Sequence, residues 1–341
     1  MKITIYDVAK EANVSIATVS KVINKNGRIS EKTKRKVYRV MEELNYQPSL
    51  IASALMGKQT KTVGLFIPDL ANPFFSELAR SIEDRANELG YNVVICNTDY
   101  SIEKENKYIS LLQQKSVDGF ILASGFEKLK RVEELMNEDI PVAIVARDFP
   151  MFPVNAVAVD DFMGGFKATS YLIDLGHKDI GIIARDVWSN RERLRGYKEA
   201  MEVNGFKIPD FKFAKDTTIA AGEEVTNEFL KSKKPPTAIF ACNDLLAIGA
   251  IQAAKAQNLK VPDHLSVVGF DNTMIAGIVD PPLTTIAQPI QRMGQEVVDL
   301  MIKMIKGEKE KARITLLPEL VVRESTKEKD NNELDDLSVI N

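Results

Sequence analysis

Residues 5 to 24 read Ile5-Tyr6-Asp7-Val8-Ala9-Lys10-Glu11-Ala12-Asn13-Val14-Ser15-Ile16-Ala17-Thr18-Val19-Ser20-Lys21-Val22-Ile23-Asn24. Ile5, Val8, Ala9 and Ala12 fall at i, i+3, i+4 and i+7, the apolar stripe of a short helix. The stripe stops at Asn13, a residue type that tolerates the left-handed backbone of a tight turn, and Val14 then fills the corner. Ser15 is an N-cap for a second helix over about 16–24, which buries Val19, Val22 and Ile23 and turns Ala17, Thr18, Ser20 and Lys21 outward. A third helix starts at the Ser30 cap, with Val37, Val40, Met41 and Leu44 at helical spacing amid Lys32, Lys34, Arg35, Lys36 and Arg39. Three short helices with a tight turn after the first fit an all-α helix-turn-helix headpiece, with an ordinary three-helix bundle as the alternative on pattern alone.

Outward from this stretch, charge sharpens the picture. The chain of 341 residues carries a net charge of −3. Its first sixty residues hold eight Lys and three Arg against five carboxylates, a net +6, which leaves −9 on the rest. A basic end on an acidic body suits a polyanion partner, and a solvated basic face is the alternative. With 45% apolar and 27% charged residues the bulk is globular, and the length suits two or three domains. Cys96 and Cys242 stand far apart among apolar residues, which argues for a reducing compartment. No signal-peptide core and no membrane-length apolar run are present, so a cytoplasmic location without membrane contact is expected.

From Lys61 the pattern changes to short β-branched runs between helical stretches: 62–67, 93–96, 119–123, 142–146, 156–159, 180–184, 237–241 and 266–270. Such alternation builds parallel sheets with helices on both faces. Two sets are present, over about 62–160 and 161–287, and the late strand-like pieces 284–286 and 314–322 suggest that the chain recrosses between them. The expected core is a hinged pair of doubly wound α/β lobes, with ligands beyond the carboxyl ends of the strands.

The strings Ile5 to Ser15, Thr18 to Asn24 and Leu44-Asn45-Tyr46-Gln47-Pro48 closely resemble the headpiece of the LacI/GalR family of bacterial transcription regulators. The resemblance implies that Ile16, Ala17 and Lys21 reach base edges in the major groove, while Tyr6, Ser15, Thr18, Ser20 and Asn24 position the backbone. Ile and Ala can touch a thymine methyl, and Lys21 can donate to guanine, so operator preference should rest on Lys21. Asn13 stands where the family often has a smaller residue. The segment Ser49 to Gly57 matches the family's hinge helix, and Leu55 the leucine that wedges into the minor groove of the operator. Ser49 and Ser53 replace the family's usual Asn and Arg, which weakens the expected phosphate grip.

The resemblance extends through Pro68-Asp69, Asn72-Pro73-Phe74-Phe75, Val117-Asp118-Gly119, Val159-Asp160, Leu175-Gly176-His177, Arg193-Leu194-Arg195-Gly196-Tyr197, Asn243-Asp244, Val268-Gly269-Phe270-Asp271 and Pro281-Pro282-Leu283-Thr284-Thr285. It implies a periplasmic-binding-protein-like core whose effector pocket takes Phe74 and Phe75 from one lobe and Asp160, Arg193, Asn243 and Asp271 from the other. Trp188, the single tryptophan, is read as a roof over that pocket, and His177 as a satisfied turn residue. A carboxylate and a guanidinium can bracket vicinal hydroxyls, which suits a sugar or related small effector. The expected divisions are a headpiece over 1–48, a hinge over 49–60, a core over 61–326 and an acidic disordered tail over 327–341. Within the core, lobe 1 takes about 62–160 and 288–317, and lobe 2 about 161–287 and 318–326. The tail lacks leucine heptads, so a homodimer on a pseudo-palindromic operator is expected. No nucleotide, nucleophile-elbow or metal-protease motif occurs, which argues against an enzyme, a cofactor or a metal. A cytoplasmic solute-binding or sensor protein, and a regulator answering to a protein co-effector, are the other readings.

Overall fold

The computed structural model describes residues 3–23, 27–46, 59–123, 129–138, 140–148, 153–209 and 211–329. The chain divides into two compact units, Met1–Lys61 with Leu112–Val117, and Thr62–Leu111 with Asp118–Asn341.

The basic end folds as α1 (Ile5–Glu11), α2 (Ile16–Ile23) and α3 (Glu31–Glu43) around Val8, Ala9, Ala12, Val19, Val22, Val37 and Val40. At the start of α1 the Asp7 carboxylate accepts from the Thr4 N–H at 2.8 Å and its hydroxyl at 2.7 Å. At its end Asn13 takes φ +48°, and the Asn13 and Val14 N–H groups donate back to the carbonyls of Lys10 and Ala9 at 3.1 and 3.0 Å. This paired closure satisfies carbonyls that a helix end otherwise leaves open. Ser15 Oγ accepts from the Thr18 N–H at 3.1 Å, so α2 starts at the cap its sequence supplies. Ser30 Oγ caps α3 through the Thr33 N–H at 3.2 Å, and Asn45 (φ +49°) closes α3 as Asn13 closes α1. Asn24, the hinge residues 49–58 with Leu55, and the tail from 330 lie outside the described residues.

The larger unit holds two six-stranded sheets. The first is built from β1 (Thr62–Ile67), β2 (Asn92–Asn97), β3 (Gly119–Ala123), β4 (Val142–Val145), β5 (Asn155–Val159) and β11 (Arg313–Leu316), in the order β11-β5-β4-β3-β1-β2. The second takes β6 (Ile180–Arg185), β7 (Lys212–Ala214), β8 (Ala238–Ala241), β9 (Ser266–Asp271), β10 (Thr284–Ala287) and β12 (Glu319–Val321), in the order β12-β10-β9-β8-β6-β7. All pairings are parallel except β10 with β12. Interior strands such as β3, β4, β8 and β9 are buried along their whole length, as strands covered on both faces must be.

Helices α4 (Pro73–Glu88), α5 (Ile102–Gln114), α6 (Leu129–Met136) and α11 (Ile290–Ile305) accompany the first sheet. One of its cores joins Leu65, Ile67, Leu78, Ile82, Ile121, Val145, Met293, Val297 and Met301. Helices α7 (Asp161–Asp174), α8 (Trp188–Val203), α9 (Ile219–Leu230) and α10 (Asp244–Ala256) cover the second sheet. The stretch 314–322, continuous by pattern, is two strands in two different sheets. Pro318, which cannot donate to a ladder, interrupts it, and Leu317 there is exposed. The chain therefore passes between the lobes three times among the described residues, after β5, after β10 and between β11 and β12.

Candidate DNA-reading face and effector cleft

In the headpiece, the apolar positions of α2 point into the three-helix core and leave the opposite side to solvent. Ile16, Ala17 and Lys21 are exposed, and Ser20 is half-buried beside them. Ile16 keeps 41% of its surface open and Tyr6 67%, so both side chains are accessible on this side of the headpiece. The Ser15 hydroxyl is taken up in capping α2 and in a 2.9 Å contact with the Thr18 hydroxyl.

In the core, both sheets have the order of a doubly wound fold, with the reversal beside β1 in one and β6 in the other. Ligand crevices form outside the carboxyl ends of strands at such points. The segments after β1, β2 and β4 bring Asn72, Phe74, Phe75, Tyr100 and Ala146 to one cleft. Those after β6, β7, β8, β9 and β10 bring Ser189, Asn190, Arg193, Thr217, Cys242, Asn243, Asp271 and Gln288. Asn72 caps α4 through the Phe74 N–H at 3.0 Å, with Pro73 in the first turn, which turns the Phe74–Phe75 pair toward this opening. The two rings meet edge to face at 5.1 Å.

Arg193 is the electrostatic centre of the floor. Its Nε donates to Asp161 Oδ1 at 2.8 Å, its Nη1 donates to the Cys242 carbonyl and lies 3.7 Å from Asp271 Oδ1, and its guanidinium lies 3.5 Å from the centre of the Phe270 ring. Burial pushes the Asp161 carboxyl up, with Arg193 opposing, and pushes Asp271 well above the ordinary carboxylate range for the same reason. Gln288 Nε2 donates to Asp271 Oδ1 at 2.7 Å.

Asp271 and Asn272 are both left-handed, at φ +112° and +56°. Such strain persists only when its surroundings over-determine it. Asp244, on one side, accepts from the Thr273 N–H and hydroxyl at 2.8 Å each and from the Thr285 hydroxyl at 2.7 Å, and burial raises it to about 6. Arg323, on the other, donates to Asn272 Oδ1 and the Leu283 carbonyl at 2.7 Å each. The strained turn thus holds Asp271 at the cleft, against Gln288 and Arg193.

The cleft brings together Phe74, Phe75, Arg193, Asn243 and Asp271 of the residues expected from sequence. Asn243 also caps α10 through the Leu246 N–H at 2.7 Å. Asp160 is a correction: its carboxylate accepts from the Met163 N–H at 2.8 Å and caps α7, while Asp161, the next residue, carries the contact with Arg193. Trp188 is also outside the lining. It opens α8 with 39% of its surface exposed and the Arg147 guanidinium 5.9 Å from its ring, while its neighbours Val187 and Ser189 line the cleft. Tyr100, Asn190, Thr217 and Gln288 went unread in the sequence; each follows a strand end, the one signal that could have found them.

His177 is satisfied away from the cleft, with Nδ1 2.9 Å from the Thr237 hydroxyl and Nε2 3.0 Å from the Ser266 hydroxyl and 3.2 Å from the Lys327 carbonyl. Burial lowers it to about 4. Among the described residues no group of His, Cys, Asp and Glu is arranged to hold a metal ion, and no helix is long and apolar enough to cross a membrane.

Residues 4–49 match the family of bacterial regulatory proteins of the lacI type, and residues 169–326 match a periplasmic binding protein-like domain. The HTH-type transcriptional regulator DegA of Bacillus subtilis is 48% identical over 333 residues, covering 96% of this chain and 98% of its own. The chain belongs to the lacI family. Another member, the ribose operon repressor of Halalkalibacterium halodurans, is 40% identical over 97% of this chain and 99% of its own. Among solved lacI-family structures, the Lac repressor dimer bound to operator and the anti-inducer ONPF superposes with a TM-score of 0.87. It is 31% identical and covers 96% of this chain and all of its own. Its relatives place the chain among transcriptional regulators that pair a helix-turn-helix headpiece with a two-lobed α/β core.

Proposed function

We propose that the protein is a cytoplasmic transcriptional repressor, not an enzyme, that grips a pseudo-palindromic operator as a homodimer and releases or tightens that grip when a small polyhydroxylated effector fills the cleft. The observation that carries the reading is the cleft itself. Aromatic rings from one lobe face an Asp, an Arg and amides from the other, and the Asp is held by a strained turn with two separate supports. Phe74 and Phe75 suit the apolar face of a sugar ring, while Asp271, Asn243 and Gln288 offer acceptors and donors to hydroxyls. The Lac repressor dimer bound to operator supports the DNA half of the reading, and the ribose operon repressor supports the sugar half.

The partition that goes with this function is a headpiece over 1–48, a hinge over 49–60, a core over 61–326 and a tail over 327–341. In it Ile16, Ala17 and Lys21 read bases, Tyr6, Ser15, Thr18, Ser20 and Asn24 set register, and Leu55 wedges into the minor groove. The test is operator selection with the full chain, followed by anisotropy and bending assays on the selected duplex. Wild type should bind one pseudo-palindrome at least about 10³-fold tighter than scrambled DNA, and Leu55→Ala should lose the bend and weaken binding. Equal affinity for scrambled DNA would overturn the regulator reading, and unchanged bending would remove Leu55 from it.

A further inference from the structure

The charge of the cleft says more than its shape. Arg193 is the one cation among the described residues that line it, and its guanidinium is already committed. It lies between the Asp161 and Asp271 carboxylates at 2.8 and 3.7 Å, donates to the Cys242 carbonyl and covers the Phe270 ring. With Asp161 and Asp271 both 10% exposed or less at their side chains, two buried acids share one buried base. The rest of the lining is amide, hydroxyl, aromatic or aliphatic, with the buried Cys242 thiol.

An anionic group entering here would find two buried acids already sharing the one base of the lining, so its own charge would be left without a cation among the lining residues, and an unpaired charge out of water is strongly disfavoured. Two other arginines follow strand ends that frame the cleft, but both are turned onto aromatic rings and neither lines it. Arg185 lies 3.9 Å from the Tyr100 ring centre and Arg147 5.9 Å from that of Trp188.

We propose that the cleft selects an uncharged polyhydroxylated ligand and rejects its phosphorylated or carboxylated counterpart, an inference that rests on the effector reading above. The protein therefore senses a sugar before it is phosphorylated or oxidised to an acid. The reaction class that consumes its ligand is a kinase or an oxidase of free sugars, and neither product should act on it.

The test is calorimetry on the full chain with matched probes: D-ribose against D-ribose 5-phosphate, D-glucose against D-glucose 6-phosphate, and D-glucose against D-gluconate. In any pair with a binder, the neutral sugar should bind at least about tenfold tighter than the anion. Asp271→Asn should narrow that ratio by strengthening the anion relative to the sugar; the wild-type ratios stand even if this variant fails to fold. A phosphate or acid that binds as tightly as its parent overturns the charge selectivity and leaves the effector cleft intact. No heat with any probe, together with no shift in thermal midpoint across a wider panel of free sugars, overturns the sugar reading itself.

Discussion

At the residue scale, Lys21 and His177 are the two side chains whose roles are most sharply testable. Lys21 is exposed on the open side of α2, where a single long cation can reach a guanine edge or a phosphate. Lys21→Ala should cost about 1–3 kcal/mol at one base position and leave nonspecific binding nearly unaltered. Affinity measured across a library of operator variants checks this, because a phosphate contact would instead lose affinity uniformly. His177 is buried and lowered to about 4, so between that value and its ordinary 6.5 the unfolded chain binds the extra proton. Stability must therefore fall on acidification through this window, by about 2 kcal/mol from pH 7 to pH 5 for this one group. Urea unfolding at the two pH values should show it, and His177→Asn should flatten the slope. The acid expected at the cleft, Asp160, caps a helix, and its neighbour Asp161 pairs with Arg193 without itself lining the cleft. Both are acids directly after a strand, and only the helix geometry decides that the first caps α7 and the second meets Arg193.

At the element scale, glycines hold the cleft's machinery in place. A Cβ on Gly165 of α7 would sit 2.1 Å from the Arg193 carbonyl oxygen, and one on Gly196 of α8 would sit 2.0 Å from that of Phe162. The two helices approach backbone to backbone at this crossing, and the approach sets the Asp161 to Arg193 distance. Gly196→Ala must force them apart. It should destabilise the core by about 1–3 kcal/mol or more and weaken effector binding while leaving headpiece helicity unchanged, as calorimetry and circular dichroism would read. Short apolar runs such as 62–67 and 119–123 were legible because strands buried on both faces have few polar residues. The three-residue edge strand β7, Lys212 to Ala214, carries too short a pattern to read. The run 314–322 shares one apolar signature although it holds two short strands in two sheets, separated by Leu317-Pro318, where the sequence reading divides the lobes.

At the scale of the whole molecule, the fold class followed from alternation and charge, whereas the convergence of the cleft did not, since its lining comes from strand ends more than two hundred residues apart. The mild overall charge of −3 conceals a +6 end and a −9 remainder. Operator affinity should therefore fall steeply with salt, as a slope of log K against log salt set by the phosphates the headpiece contacts. Effector affinity for an uncharged ligand should stay nearly flat over the same range. Anisotropy and calorimetry in one salt series check both, and parallel slopes would place the two events on the same charged surface.

The three passages of the chain between the lobes carry a further consequence. They leave from neighbouring strands, β5 and β11 in one sheet and β10 and β12 in the other, and so lie together like the spine of a book. A spine permits the covers to open and resists their sliding or twisting, which compresses whatever chemistry enters the cleft into one variable, the opening angle. Ligands of different shape then become comparable, because each is reported to the DNA only as more open or more closed. Stiffening the spine at Leu317-Pro318 should rescale every ligand's effect on DNA by a common factor and leave their rank order unchanged.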